Sequence, residues 1–145
     1  MDASNTFEQG IQELVFQNIA FTGIGDAGGL LPSAVAGNLY LSLHTADPGE
    51  AGDQTTNEAA YTNYARVAVA RDNVQWDVTA GVASIQNTAT FPQAGVTAAE
   101  ILTHVGIGTD SAGAGQLLFS GALSSSLNID DNVTPEITSL TITVD

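Results

Sequence analysis

Leu39, Leu41 and Leu43 alternate with Tyr40, Ser42 and His44, and a second extended run carries Ala65, Val67 and Val69 between Arg66, Ala68 and Ala70. A two-residue period sends successive side chains to opposite faces of a strand, so these runs are read as half-buried strands over residues 39–45 and 65–71. Between them lies a long loop holding Asp47, Glu50 and Asp53. It opens with Asp47, Pro48 and Gly49, a turn with a mechanism. Proline presets φ near −65°, glycine accepts positive φ, and aspartate bonds back onto the backbone.

Further short strands are predicted over residues 74–78, 81–85, 89–91, 101–108, 116–118 running toward 123, and 137–144. Turn residues separate them at the spacing of an all-β sandwich, jelly-roll-like in class. The last run is the cleanest: Ile137, Leu140, Ile142 and Val144 interleave with Thr138, Thr141 and Thr143, and Ser139 makes one irregular step, read as a bulge.

Ahead of the strands, Phe7, Ile11, Leu14, Val15 and Ile19, with Phe16, recur at three- and four-residue spacing, which predicts an amphipathic N-terminal α-helix. Asn5 is the expected cap, with Glu8 placed three residues later as in a capping box, and the helix is expected to end near residues 18–21. Gly10 weakens such a helix by about 1 kcal/mol relative to alanine. A glycine-rich connector follows. The expected organisation is an arm of helix and connector over residues 1–37 and a β-sandwich over residues 38–145. The apolar stripe is too long to stay in water, so the arm is expected to mediate assembly.

The chain has 145 residues, 16 acidic groups and only Arg66 and Arg71 as strong bases, a formal net charge of −14. That field repels phosphate over a Debye length of about 8 Å, which argues against a nucleic-acid partner and for a neutral or basic one. Charged residues are nonetheless only 12% against 43% hydrophobic, so acidity here accompanies a folded core rather than disorder. The absence of cysteine removes disulfides and thiol chemistry and fits synthesis in a reducing host cytoplasm. With no charged leader and no apolar run near the roughly 20 residues of a membrane span, neither export by a visible signal nor a membrane partner is expected.

Residues that invite a chemical reading have structural ones beside them. Gly23, Gly25 and Gly28 match a dinucleotide fingerprint, but follow a helix and sit beside Asp26, where that fingerprint requires a strand before and a helix after. His44 and His104 would need to converge with carboxylates to hold zinc. Asp47, Glu50 and Asp53, spaced three apart, lack the ligand alternation of a calcium loop and are read as a solvated acidic loop. Ser124, Ser125 and Ser126 have no nucleophile elbow around them. Trp76 with Tyr61 and Tyr64 could build a sugar platform, although a lone tryptophan in a β-protein is more often a core or interface anchor. No catalytic residue, cofactor or metal site is therefore expected.

The runs 38–52, 64–66, 88–92, 104–108 and 113–121 resemble, in the same order, segments of small phage virion proteins similar to the cement, or decoration, proteins of tailed-phage capsids, some of which carry tail-fibre labels. The resemblance spans roughly residues 6 to 144. It implies a structural, non-enzymatic protein on the outer surface of the expanded head, with the major capsid protein as partner. Many copies would bridge capsomers, each through a modest interface repeated by the lattice. It also implies self-association, as dimers on twofold positions or, alternatively, trimers on threefold ones. The candidate interface residues are Phe7, Ile11, Leu14, Ile19, Arg66, Arg71 and Trp76. The arginines can grip a carboxylate or carbonyl on the shell or neutralise the chain's own acidic loop. The rival reading is a tail-fibre or receptor-binding module, and an uncharacterised hydrolase is a third. An exposed strip of Trp76, Tyr61 and Tyr64 would favour adhesion to glycan; burial of all three would favour scaffolding.

Overall fold

A computed structural model describes residues 2–96 and 99–144. The elements are α1 (Asn5–Gln17), β1 (Asn38–His44), β2 (Val67–Ala70), β3 (Trp76–Thr79), β4 (Val82–Ile85), β5 (Ala89–Thr90), β6 (Glu100–Gly108), β7 (Leu117–Ile129), β8 (Glu136–Ile137) and β9 (Thr141–Thr143). They form sheets of order β2-β1-β6-β7, β3-β4-β9 and β5-β8. The fold is mainly β with one short N-terminal helix, as expected, and its antiparallel sheets are consistent with a β-sandwich. Among the described residues no helix is long and apolar enough to cross a membrane. Contacts group the chain into two compact units that do not follow a linear boundary at residue 37. The first takes the described residues of Met1–Asn38, Ala70–Thr88 and Thr138–Asp145, the second those of Leu39–Val69 and Ala89–Ile137.

In the first unit, α1 lies on β3 and β4. Its cap is Ser4 and not Asn5: Ser4 is extended, at φ −87° and ψ 150°, and its Oγ accepts the Phe7 amide at 3.3 Å. Asn5 is thus the first helical residue, and Glu8 lies one position beyond the capping-box site, still in the first turn where the helix dipole favours a carboxylate. Asn18, left-handed at φ 57°, closes the helix within the expected range.

The face that α1 buries is more polar than its apolar stripe suggested. Phe16 is fully buried against Trp76, with ring centroids 4.7 Å apart. Around that contact, glutamines bind strand backbone. Gln12 Nε2 donates to the Gly81 carbonyl at 2.6 Å and the Ile142 carbonyl at 3.3 Å, and Gln17 Nε2 donates to the Trp76 carbonyl at 2.8 Å. Gln9 donates to the Val78 carbonyl at 3.0 Å and accepts from the Gly81 amide at 2.9 Å. Each of these bonds satisfies a backbone group that burial under a helix would otherwise strand. Ile11 and Leu14 are half-buried, while Phe7 and Ile19 remain 43% and 45% exposed.

Arg71 ties the end of α1 to the connector. Its Nε and NH2 donate to the Val15 and Leu14 carbonyls, both at 2.6 Å, and its NH1 donates to the Ala36 carbonyl at 3.0 Å and the Ser33 hydroxyl at 3.3 Å. A cation on the last carbonyls of a helix satisfies orphan acceptors and opposes the negative end of the dipole. In the connector, Asp26 Oδ1 takes the Gly28 and Gly29 amides at 2.7 and 3.0 Å. The amides that a phosphate would seek are thereby occupied, and no strand–helix turn surrounds them.

The second unit is built on β1. Leu39, Leu41 and Leu43 are buried, as are Leu102, Val105, Ile107 and Ile129 on the neighbouring strands. β1 and β6 run antiparallel, with Leu41 opposite Ile107 and His44 opposite His104. Two expectations need correction here. The run 137–144 is not one strand: β8 pairs with β5, β9 pairs with β4, and Ser139 marks the change of sheet. β7 extends over 13 residues to Ile129, past the expected 116–118 running toward 123, since its serines and glycine hide a strand that pairing with β6 enforces. In the first unit, Val74 lies ahead of β3 in a turn whose amides at Val74 and Gln75 are held by Asp72.

Arg71→Ala should destabilise the protein by about 2 to 3 kcal/mol, because charge-assisted bonds to otherwise unsatisfied carbonyls are lost. Arg71→Lys should recover only part of this, since an ammonium cannot span the same acceptors. Urea unfolding measures both, and an unchanged midpoint in Arg71→Ala would contradict the assignment.

Candidate functional site

The acidic loop that follows β1 is a constructed element rather than a slack one. Asp47 Oδ1 accepts the Gly49 amide at 2.9 Å, and Gly49 takes φ 70°, the turn expected from sequence. Asp53 Oδ1 accepts from the Thr55 amide at 2.8 Å and the Thr55 hydroxyl at 2.6 Å. These bonds, the Thr55 hydroxyl first, hold the Asp53 carboxyl below its ordinary range. The loop rejoins the sheet where His44 and Glu58 form an antiparallel bridge.

Two side chains fasten this loop to the turn between β6 and β7. Gln54 is fully buried: its Oε1 accepts the Asp110 amide at 2.9 Å, its Nε2 donates to the Asp110 carbonyl at 3.3 Å, and its own amide donates to the Ala114 carbonyl at 2.9 Å. Its carboxamide occupies the space that a Cβ at Gly108 or Gly115 would take, so both glycines are needed for close approach. Arg66 is the second fastening. Its Nε and NH2 grip Glu58 Oε1 and Oε2 at 2.6 and 2.7 Å, while NH1 and NH2 donate to the Asp110 and Gly113 carbonyls at 2.8 and 2.7 Å. The Arg66 side chain is 2% exposed and that of Glu58 15%. Hydrogen bonding to Glu58, the leading cause, pushes the guanidinium above even its usual range.

Tyr64 completes the network, donating from its hydroxyl to Glu58 Oε1 at 3.0 Å and accepting the Leu43 amide at 3.0 Å. Burial, first among the causes, raises its pKa. Tyr61 packs edge-on against Tyr64 at 5.2 Å, donates to the Pro92 carbonyl at 3.1 Å, and is pushed up to about 12 by burial and then by Glu100. Phe91 also stacks on Tyr64, 6.4 Å between centroids and 9° from parallel.

The structure therefore gives most of the sequence-selected residues partners within their own unit. Arg66 lies in the second unit and Arg71 in the first, each bonded within its own unit. Trp76 is fully buried and Tyr61 is buried, and Tyr64 is held by both of its hydrogen bonds, so the three form no exposed strip. Phe7 and Ile19 keep accessible apolar surface. His44 is fully buried, its Nδ1 donating to the Thr56 carbonyl at 2.9 Å and its Nε2 accepting the Ser42 hydroxyl at 2.8 Å. A carbonyl can only accept, which fixes this tautomer. His104 Nδ1 donates to the Thr103 hydroxyl at 2.9 Å, since that hydroxyl gives its own proton to the Thr45 carbonyl. Among the described residues no group of three or more metal-capable side chains gathers.

Sequence reasoning missed Gln54 and Glu58. The signal for Gln54 lay in Gly108 and Gly115, two glycines flanking one turn. Beside this fastened loop, a cleft of about 430 Å³ is lined by Asp47, Gly49, Glu50 and Gly52 of the loop and by Leu117, Leu118, Phe119 and Ser120 of β7.

Gly108→Ala should cost roughly 1 to 3 kcal/mol by overpacking against Gln54. Combined with Gln54→Ala it should cost less than the two single changes added together, and strict additivity would remove the contact from the account. Burial holds the His44 pKa below 6.5, with the Thr56 bond opposing. The unfolded chain binds the extra proton first, so stability is full above about pH 6.5 and falls as pH drops toward the depressed folded value. His44→Gln should flatten that step in thermal melts, and an unaltered profile would contradict the assignment.

Among curated proteins no relative matches. The model of the Gp80 family, described as podophage GP4 fiber I protein gp80, matches residues 2–145, and the chain belongs to that family of phage virion proteins.

Proposed function

We propose that this chain is a non-enzymatic structural subunit of a phage fibre, acting by adhesion to other virion proteins. The observation that carries the reading is the family match over residues 2–145, whose description names a fibre protein. The burial of Trp76 and Tyr61 and the tethering of Tyr64 supply a second support, because a glycan platform needs aromatic faces open to solvent. Adhesion to protein therefore fits better than sugar stacking on those rings. Self-association into dimers or trimers fits the repeated interfaces of virion parts. No nucleic-acid or membrane partner is proposed, since the net charge of −14 repels phosphate and both arginines are bonded internally.

The second reading is capsid cement on the outer head surface, bridging subunits of the major capsid protein. It rests on the five ordered segments that resemble decoration proteins. Gold-labelled antibody against this protein should mark the fibres of intact virions in electron micrographs. Label spread over the head would favour cement, and virions without the protein would overturn both readings. Purified protein should leave adsorption of phage to host cells unaffected; competition for adsorption would instead assign it the receptor-binding role.

A further inference from the structure

β7 is the edge of the sheet β2-β1-β6-β7, and among the described residues no strand pairs with its outer side. Its first stretch, Leu117 to Ala122, runs along β6 from Gly108 to His104; beyond it, Leu123 to Ser126 stand against the single residue Thr103. None of the 13 residues of β7 is charged and none is proline. Soluble proteins usually guard an edge of this length with lysine, proline or an inward charge. Apart from the bulge at Leu123 to Ser126 and a one-residue register shift at Leu118, where Ile107 pairs with Phe119 and Gly108 with Leu117, β7 has none of these. Among the described residues the other edges, β2, β3, β9, β5 and β8, are four, four, three, two and two residues long.

The cleft beside β7 is lined by Leu117, Leu118, Phe119 and Ser120, four consecutive residues. These residues open the Leu117 to Ala122 stretch, so the cleft lies beside this part of β7. The same cleft is lined by the acidic residues Asp47 and Glu50, both exposed. An occupant that adds as a strand to β7 thus meets acidic groups in the same cleft.

We propose that the Leu117–Ala122 edge of β7 receives an extended segment of a different protein by strand addition, and that this segment carries lysine toward Asp47 and Glu50. Charge identifies the occupant as a different chain. This chain has no lysine, and its arginines are bonded to Glu58, Asp110 and Gly113 in one case and to Leu14, Val15 and Ala36 in the other. A second copy would bring another acidic loop and no side-chain cation to offset it. Strand addition supplies backbone hydrogen bonds for affinity, and the charged rim supplies selection.

The inference rests on the virion reading, and intact virions test it. Carbodiimide joins a carboxylate directly to an amine it already touches. Because this chain lacks lysine, a lysine adduct at Asp47 or Glu50 can come only from another protein. The expected result is such an adduct to one other virion protein, together with at least tenfold slower hydrogen exchange at 117–122 in virions than in the purified protein. Asp47→Asn with Glu50→Gln should remove the adduct. Unchanged exchange at 117–122 would overturn the proposal. So would slowed exchange without a lysine adduct at the loop, the result expected if a second copy covers the edge, including one linked through its terminal amine. Virions that lack the protein altogether would overturn the functional reading instead.

Discussion

Arg66 is the group on which the irregular half of the second unit converges. One planar guanidinium holds the Glu58 carboxylate bidentately and at the same time two carbonyls of the β6–β7 turn. Burying such a pair is costly unless the remaining lone pairs and protons are also used. Here they are: Tyr64 gives its hydroxyl proton to Glu58 and takes the Leu43 amide, so the charge pair is wired into β1 itself. Gln54 fastens the same loop to the same turn through a space that Gly108 and Gly115 leave open. A long acidic loop that would otherwise be costly to order is thereby held at two points.

The first unit uses its single arginine in the same way. Arg71 gathers carbonyls from the end of α1 and from the connector, where no strand or helix could satisfy them. Both strong bases of a chain with 16 acidic groups are thus spent on internal acceptors. What the protein presents outward is almost purely acidic and neutral. That constrains its partners more firmly than any surface patch does: a cation at an interface of this chain must come from the other side or from solvent.

Much of this was legible in the residues. The alternation of Leu39, Leu41 and Leu43 marked β1, Asp47, Pro48 and Gly49 marked their turn, and the spacing of Phe7 to Ile19 marked a helix. What misled was polarity. Periodicity counts apolar residues, so it selected the stripe of Phe7 and Ile19 and overlooked Gln9, Gln12 and Gln17, which turn toward the strands, Gln12 fully buried, because strand carbonyls need donors. The run from Ile137 to Val144 looked like one strand because its local pattern continues, whereas partners in two sheets divide it at Ser139. The candidate site shared that blind spot. Arg66 was visible as one of two bases, but its acceptors at Asp110 and Gly113 lie 44 and 47 residues away in sequence, where no local pattern could indicate them, and Glu58, eight residues away, falls outside any periodic strand or helix run.

Hydrogen exchange of the purified protein against its Arg66→Ala variant tests the clamp most directly. The amide of Gln54 donates to the Ala114 carbonyl and that of Asp110 to the Gln54 side chain, so each reports on one of the two fastened segments. If Arg66 holds them as one body, both amides should lose protection together and to a similar degree, more than the β1–β6 ladder does. Protection unchanged in both, or lost in only one, would contradict the account.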